Sequence, residues 1–307
     1  MVMTELPPRE RTGEKLLRSA AKTSFDPAVD VDWAAPQDPL QFYCPPYRSS
    51  LFGTALWDQM TPEQRVTLTK HEVASIASVG IWFEEILMQM LLRHAYDRDL
   101  TRKDIQWTLT EIADECRHSI MFATMISTFG TPNYGVDRLR HGLGRWFKAT
   151  STGVQTFAGT MYVEEILDAF QREAMDDESL QPIVRQVSRI HVIEESRHIG
   201  YAREEALRAL QHTGRIGRWY DQLMLGVVMY LATTALINPR VYAECGLDPR
   251  EARRAAARNP HWRDTKRFAA AKVLAFFDSA GLIGRGNRWL LRRAGVLSHT
   301  HGPSGLG

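Results

Sequence analysis

The sequence predicts an all-α protein with a four-helix bundle as its core and additional helices toward the C-terminus. Apolar residues recur at helical spacing through long stretches, for example from Val66 to Leu91. No segment shows the sustained alternation of apolar and polar residues that is typical of a half-buried strand. A cluster of turn residues at 130–133 (GTPN) separates two of the helical stretches. Together these features indicate a chain in which helices pack on helices.

Capping signals mark where the long helices begin. Thr61 is a good N-cap residue, and Pro62 suits the first helical position. Thr101 and Ser179 are expected to cap two later long helices. The bundle core is expected over about residues 60–214. The expected helices cover about 61–98, 101–129, 136–148, 152–176 and 179–213, followed by one after Gly214, others near Asp248 and Trp262, and a short basic one after Gly284.

The two ends of the chain lack helical patterns. Residues 1–45 are rich in proline, aspartate and charge, so we expect an extended or partly disordered arm. Residues 46–298 are expected to form a single helical domain, because a chain of this length can bury one large core. Residues 299–307 are expected to form a flexible tail.

Charge and cysteine content argue against several classes of protein. The formal net charge is +2, so the overall charge gives no indication of nucleic-acid binding. Cys44, Cys116 and Cys245 are far apart, which argues against disulfides and against a cysteine-rich zinc site. The N-terminus is charged and contains prolines, unlike a secretory signal. We therefore expect a cytoplasmic protein with no membrane span.

An uncharged run covers residues 222–239. A membrane helix needs about 20 mainly apolar residues. This run contains a glutamine, two threonines and an asparagine, and it ends at a proline. We interpret it as a buried helix of a large bundle, and a hydrophobic wall for a substrate is a second interpretation.

The most informative feature is a repeat at an offset of 80 residues. The tetrapeptide EEIL at 84–87 recurs at 164–167, and DECRH at 114–118 matches EESRH at 194–198. Both pairs of motifs keep the same offset. This pattern indicates a duplicated pair of helices.

The spacing within the repeat is typical of metal chemistry. Glutamate and histidine three residues apart lie on one helix face, with Cβ atoms about 5 to 6 Å apart. Two such motifs, each preceded by a glutamate on another helix, match the di-iron or di-manganese carboxylate sites of helical bundles. Each doublet leaves a choice, Glu84 or Glu85 and Glu164 or Glu165. Because Glu84 shares its face with the apolar Ile81, we expect Glu84 and Glu164 to be the ligands.

His191 breaks the symmetry of the repeat. It lies four residues before Glu195 and seven before His198, so all three share a helix face. We therefore expect His191 to be an additional ligand, and Glu111, at the equivalent position in the first half, could also face the metals. The expected metal ligands are Glu84, Glu115, His118, Glu164, His191, Glu195 and His198.

These motifs resemble those of the p-aminobenzoate N-oxygenase (AurF-like) family of di-iron oxygenases, and His191 matches the extra histidine of its HxxxExxH pattern. The resemblance covers about residues 60–240. It implies a ferritin-like fold, two iron ions, dioxygen as co-substrate and oxygen transfer to the nitrogen of an aryl amine. It also implies a homodimer and electrons from a reductase or small reductant. Manganese or a mixed manganese–iron pair stays open, because the ligand types do not separate these metals.

Two other functions stay open. A related ferritin-like oxidase could act at carbon, as a hydroxylase or on a lipid-like ligand. A helical binding protein without catalysis is the third reading, although buried carboxylates without metal would destabilise its core. Arg117 and Arg197 are expected to form ion pairs or to orient carboxylates of neighbouring helices. Candidate residues for a substrate pocket are Trp82, Phe83, Phe122, Met125, Tyr162 and members of the run after Gln222.

Overall fold

The structure, a computed structural model, describes residues 6–298 and consists of α-helices joined by turns and loops. Within these residues there is no β-strand, so the all-α prediction is confirmed. The tail expected at 299–307 lies outside the described residues. The helices are α1 (Arg9–Lys22), α2 (Pro27–Asp30), α3 (Ala55–Gln59), α4 (Pro62–Ala95), α5 (Lys103–Thr128), α6 (Arg138–Thr150), α7 (Val154–Ala174), α8 (Pro182–Gln211), α9 (Arg215–Ala235), α10 (Pro249–Arg258), α11 (Pro260–Ser279) and α12 (Arg288–Ala294).

The core is a four-helix bundle made of two helix pairs. Helix α4 packs along α5, and α7 packs along α8. The pairs meet where α5 contacts α8 and where α4 contacts α7. Buried apolar residues such as Leu91 and Met161 fill the space inside. The two halves of the sequence repeat therefore face each other across the bundle.

The start of α4 follows the expected capping pattern. The backbone N–H of Gln64 donates to Oγ1 of Thr61 at 3.2 Å, and the backbone N–H of Thr61 donates to Oε1 of Gln64 at 2.9 Å. This reciprocal pair satisfies two N–H groups that the first helical turn would otherwise leave unpaired. Pro62 occupies the first helical position, as predicted.

Two expected caps are wrong. The hydroxyl of Thr101 donates to Asp99, and the hydroxyl of Ser179 donates to Asp177. Each residue thus forms a local turn before its helix, because its short polar side chain bonds nearby groups as readily as a helix end. Helices α5 and α8 begin a few residues later, at Lys103 and Pro182.

The extended arm expected over residues 1–45 is also corrected, because α1 and α2 lie within it. Helix α1 packs on α5 and contacts α8, where Arg9 forms an ion pair with Glu205 at 2.8 Å. Gly13 looks like a helix breaker in the sequence. In the structure a Cβ at Gly13 would lie 2.5 Å from the backbone of Asp104. The glycine therefore permits a close approach of α1 to the start of α5, a tertiary reason that helical periodicity does not reveal.

Three later helices cover the bundle. Helix α9 packs on α7 and is covered by α12, and α11 also packs on α7. Leu225 and Met229 of α9 are buried. This placement agrees with the interpretation of the uncharged run as a bundle helix.

Two helical segments have the length and apolar composition of a membrane span. They are Pro62–Ala95 and Arg215–Cys245, and 56% of each apolar window is buried inside the protein. Core helices of soluble proteins share these properties, so length and composition are weak evidence for a span. The buried share of α4 reflects its contacts with α5, α6 and α7.

Candidate metal centre

The structure brings all seven expected ligands into the interior of the bundle. Each has at most 2% of its surface exposed. They come from all four core helices, with a single glutamate from α4 and from α7. The remaining ligands are Glu115 and His118 on α5 and His191, Glu195 and His198 on α8.

Two carboxylates and two imidazoles form the middle of the cluster. Nδ1 of His118 lies 2.9 Å from Glu115 Oε2 and 3.3 Å from Glu195 Oε1. Nδ1 of His198 lies 3.0 Å from Glu115 Oε1 and 2.8 Å from Glu195 Oε1. Each carboxylate thus faces both imidazoles. This is the arrangement in which a carboxylate can bridge two metal ions.

The other three ligands flank this middle group. Potential ligand atoms of Glu84, His118 and His191 lie within 4.8 Å of one another, as do those of Glu164, His191 and Glu195. Nε2 of His191 is 3.7 Å from Glu84 Oε1 and 3.8 Å from Glu195 Oε1. His191 therefore joins the ligand face, as its spacing predicts.

The chemistry of these groups fits metal ions. Among the described residues, no hydrogen-bond partner is found for either oxygen of Glu84, for Oε2 of Glu164 and Glu195, or for Nε2 of His191. A buried polar atom without a partner costs about 1 to 3 kcal/mol, and more when it is charged. Divalent cations would remove this cost, and carboxylate with imidazole suits iron and manganese. The seven residues could therefore hold two such ions.

Burial and mutual repulsion control the charge of the cluster. Burial raises the pKa of Glu84 and Glu164 well above its usual range, and the neighbouring carboxylates raise it further. Burial opposes ionisation of Glu195 too, but His198 and His118 hold its pKa at about 2. Burial lowers the pKa of His191 to about 3, so its imidazole is neutral and can bind a metal.

A second layer of carboxylates crosses between the two halves of the repeat. Nε2 of His118 donates to Oε2 of Glu194 at 2.9 Å, and Nε2 of His198 donates to Oδ2 of Asp114 at 3.1 Å. Each bond fixes an imidazole so that Nδ1 points at the ligand cluster. The sequence analysis did not single out Asp114 and Glu194, although both precede the ligand glutamates at the same offset of 80.

The two arginines of the motifs join this layer. Arg117 contacts Asp114, and Arg197 lies 3.7 Å from Glu194. Each arginine also lies 4.0 Å from the carboxylate of the other half. The expectation that Arg117 and Arg197 form ion pairs and orient carboxylates therefore agrees with the structure.

The N-terminal segment also reaches this layer. The backbone N–H of Phe25 donates to Oε1 of Glu194 at 3.2 Å. Ser24 lies 3.5 Å from the guanidinium of Arg117. Residues between α1 and α2 thus cover the group that holds His118.

The structure separates the members of each glutamate doublet. Glu85 is exposed. Glu165 is buried, but it forms ion pairs with Arg203 at 3.2 Å and Lys272 at 2.8 Å. Glu84 and Glu164 are the members that face the cluster, as their positions on the helix predict.

Glu111 lies near the cluster without joining a ligand group. Its side chain is buried, and burial raises its pKa to about 8. None of the groups of close ligand atoms in residues 6–298 includes it. The repeat therefore places a carboxyl and an imidazole, Glu111 and His191, at equivalent positions with different surroundings.

Three apolar cavities lie in a row beside the cluster. The outer cavity, between α4, α6, α7 and α9, is lined by Trp82, Phe83, Phe147, Val163, Glu164 and Leu231 among others. The middle cavity includes Val79, Gly80, Phe83, Val163, Leu167 and Leu236. The inner cavity includes Arg48, Glu72, Gly80, Phe122, Leu167 and Gln171.

The cavities divide the expected pocket residues. Trp82 and Phe83 line the outer cavity, together with residues of α9. Phe122 and Met125 line the inner cavity. Tyr162 lines none of the three, and its hydroxyl lies 2.7 Å from that of Thr233.

Solved structures with this fold contain metal pairs. Two are variants of an R2-like ligand-binding oxidase with an anaerobically reconstituted Mn/Fe cofactor, with TM-scores of 0.53 and 0.51. Each covers 91% of this chain and 94% of its own, at 15% and 16% sequence identity. The likeness shows that the fold is the ferritin-like bundle of di-metal proteins, and the buried carboxylate and histidine cluster is suited to such a pair.

Sequence comparison gives the family. Uncharacterized protein Mb0909 of Mycobacterium bovis and uncharacterized protein Rv0885 of Mycobacterium tuberculosis are each 27% identical over 251 residues. The match covers 78% of this chain and 73% of each relative. The family model described as p-aminobenzoate N-oxygenase AurF matches residues 7–281. The chain therefore belongs to the p-aminobenzoate N-oxygenase AurF family.

Proposed function

We propose that this protein is a di-iron monooxygenase that oxidises the nitrogen of a small aryl amine. Family and fold make it a di-metal oxidase or oxygenase. The observation that carries the finer proposal is the position of Glu164. This ligand candidate lies in the metal cluster and also lines an apolar cavity with aromatic walls. A substrate in that cavity would lie beside the metals.

The chain's own residues would divide the work. Glu115 and Glu195 would bridge the metals, and the other five ligands would complete the two coordination shells. When bound, the metals would supply redox chemistry and open positions for dioxygen. Asp114 and Glu194 would hold the histidines in the tautomer that presents Nδ1.

The outer cavity would orient the substrate. Trp82, Phe83 and Phe147 present aromatic faces and edges, which suit an aryl ring. Apart from Glu164, no charged residue lines this cavity in the described chain. The apolar walls would exclude bulk water, so a reactive oxidant would meet the amine rather than solvent. An uncharged amine nitrogen would then point toward Glu164.

Several further parts of the proposal concern partners. Iron is our preferred metal, and manganese or a mixed pair would fit the same oxygen and nitrogen donors. Catalysis would need electrons from a reductase or a small reductant. We also propose a homodimer in the cytoplasm, in line with the family resemblance and with the cysteine pattern.

Oxidation at carbon is a second candidate. The same absence of charge around the outer cavity would suit a hydrocarbon or a lipid-like chain. R2-like oxidases of similar fold are described as ligand-binding. The two candidates differ in the substrate atom that receives oxygen, so a substrate panel separates them.

One experiment tests the proposal. The iron-loaded protein is reduced without oxygen, mixed rapidly with dioxygen and followed by absorbance. We expect a transient absorbing species whose decay is faster with aryl amines, together with hydroxylamine or nitroso products. Acceleration by hydrocarbons or fatty acids alone would transfer the proposal to carbon oxidation. Protein that holds about two metals but never consumes dioxygen would contradict both candidates.

A further inference from the structure

The three cavities and the polar residues at the inner end point to the shape of the substrate. We infer that it is an elongated, mostly apolar aryl amine whose far end carries a hydrogen-bond donor that binds Glu72. The inference rests on the proposed function and deepens it. It also separates this chain from an enzyme for a short amine that ends in a carboxylate.

The cavities form one row because neighbours share walls. Phe83 and Val163 line both the outer and the middle cavity. Gly80 and Leu167 line both the middle and the inner cavity. Gly80 contributes no side chain, so the second partition is thin. Rotation of the Phe83 and Leu167 side chains would open a continuous channel past the metal cluster.

The inner end is far from the metals. Glu72 and Glu84 both belong to α4 and are separated by 12 residues. At a rise of 1.5 Å per residue, their backbones lie about 18 Å apart along the helix. A single aromatic ring is too short to bridge this distance. Two rings, or one ring with an extended chain, have the required length.

Glu72 is a hydrogen-bond acceptor at this inner end. It lines the inner cavity and is only 2% exposed. Its Oε1 accepts the backbone N–H of Ser50 at 3.0 Å and also the Ser50 hydroxyl, which lies 2.9 Å from the hydroxyl of Tyr242. No cationic side chain of the described residues forms an ion pair with it. A ligand with an ammonium or hydroxyl group would supply the missing donor.

The arginine of the inner cavity is already neutralised. Arg48 Nε and Nη2 donate to the two oxygens of Glu173 at 2.7 and 3.0 Å, and Tyr47 also donates to Glu173. Such a paired guanidinium has little capacity left for a substrate carboxylate. With Arg48 balanced by Glu173, the inner end carries the charge of Glu72. A terminal anion would therefore be repelled, and a terminal donor would be attracted.

The test uses three biphenyl probes of equal length on iron-loaded protein. Each carries an aryl amine at one end and an aminomethyl group, a carboxylate or a hydrogen at the other. Dissociation constants are measured by calorimetry without oxygen. We expect the aminomethyl probe to bind at least about tenfold more tightly than the carboxylate probe, a difference of about 1.4 kcal/mol. Equal binding of these two probes would overturn the inference.

Two variants locate the effect. Glu72→Gln keeps an oxygen that can accept both Ser50 bonds but removes the charge, so the aminomethyl preference should fall about tenfold. Glu85→Gln is the matched control, because Glu85 lies on the same helix and is exposed. An unchanged preference in Glu72→Gln would show that the donor binds elsewhere. If Glu72→Gln fails to fold, Glu173→Gln, which frees Arg48, should strengthen binding of the carboxylate probe.

The readout separates this inference from the proposed function. Binding preferences are measured without turnover, whereas the proposed function is tested by oxygen consumption and product analysis. If simple anilines are oxidised but the long probes show no terminal preference, the oxygenase proposal stands and the inference fails. If the long probes bind as expected but no amine is oxidised, the channel stands and N-oxygenation fails.

Discussion

The carboxylate of Asp114 on α5 accepts a hydrogen bond from Nε2 of His198 on α8, at 3.1 Å. The bond joins the two halves of the repeat. It leaves Nδ1 of His198 directed at Glu115 and Glu195. Because Asp114 is not itself among the ligand candidates, its effect on metal binding would act through the histidine.

Asp114→Ala should weaken metal binding without removing a ligand. Loss of an outer carboxylate typically costs about 10- to 100-fold in metal affinity. Competition with a chromophoric chelator measures this affinity for Fe(II) or Mn(II). The matched control is Asp168→Ala, which removes another buried carboxylate that is paired with Arg172 at 2.7 Å. Equal affinity of the two variants would show that the Asp114 bond does not orient His198.

His191→Ala should lower the metal content of purified protein. The imidazole is neutral and its Nε2 has no hydrogen-bond partner among the described residues, as expected for a ligand atom. We expect the weaker metal position to lose at least about tenfold in affinity. Elemental analysis measures the content. His71→Ala serves as control, because His71 is a buried histidine bonded to Tyr134 at 2.6 Å. Full metal content in His191→Ala would contradict the ligand assignment.

The second glutamate doublet offers a paired test of ligand choice. Glu164→Gln should reduce metal content, because it replaces a carboxylate donor with a weaker amide. Glu165→Gln should keep its metals and lose stability, since it breaks ion pairs with Arg203 and Lys272. Elemental analysis and thermal unfolding report the two effects separately. The reverse result would assign Glu165 to the metals.

Metal removal should destabilise the fold. Without cations, the carboxylates of the cluster repel one another in a buried space, which raises the pKa of Glu84 and Glu164. A ligand at 100 times its dissociation constant stabilises the native state by about 2.7 kcal/mol. Two tightly held ions should exceed this value, which is visible as a higher Tm of the loaded protein. A metal-free protein of equal Tm would instead favour a binding protein without catalysis.

Glu72 should make stability depend on pH. Burial raises its pKa to about 7, against the opposing hydrogen bonds of Ser50 and Ser49. A raised carboxyl pKa favours the folded state below the unfolded pKa of about 4.3, and this contribution is lost as pH rises to about 7. Relative to the wild type, Glu72→Gln should therefore become more stable between pH 5 and 8, by up to about 3 kcal/mol. Denaturant unfolding at both pH values measures the change, and a constant difference would contradict it.

Local spacing in the sequence was enough to predict the ligand cluster. The repeat at 80 residues placed Glu115 and Glu195 at matching positions, and three- and four-residue steps put His191 on the same face. Helix periodicity determines which side chains share a face, so these features follow from the sequence without the tertiary structure. The choice of Glu84 over Glu85 followed from the same reasoning.

Features that depend on contacts between distant segments could not be predicted in this way. Helix α1 contains Gly13, whose role becomes clear only beside the backbone of Asp104. The bond from His118 to Glu194 joins residues 76 apart in sequence. The cavities depend on how α9 lies against the bundle. Helical spacing carries no information on such contacts.

The contact of Phe25 with Glu194 gives the first turn of the chain an influence on the metals. The segment that follows α1 works as a clasp: it closes over the carboxylate that steadies His118. A shortened chain that starts after this segment would keep every ligand and still release its metals more readily. An affinity tag is therefore better fused to the opposite end of the protein.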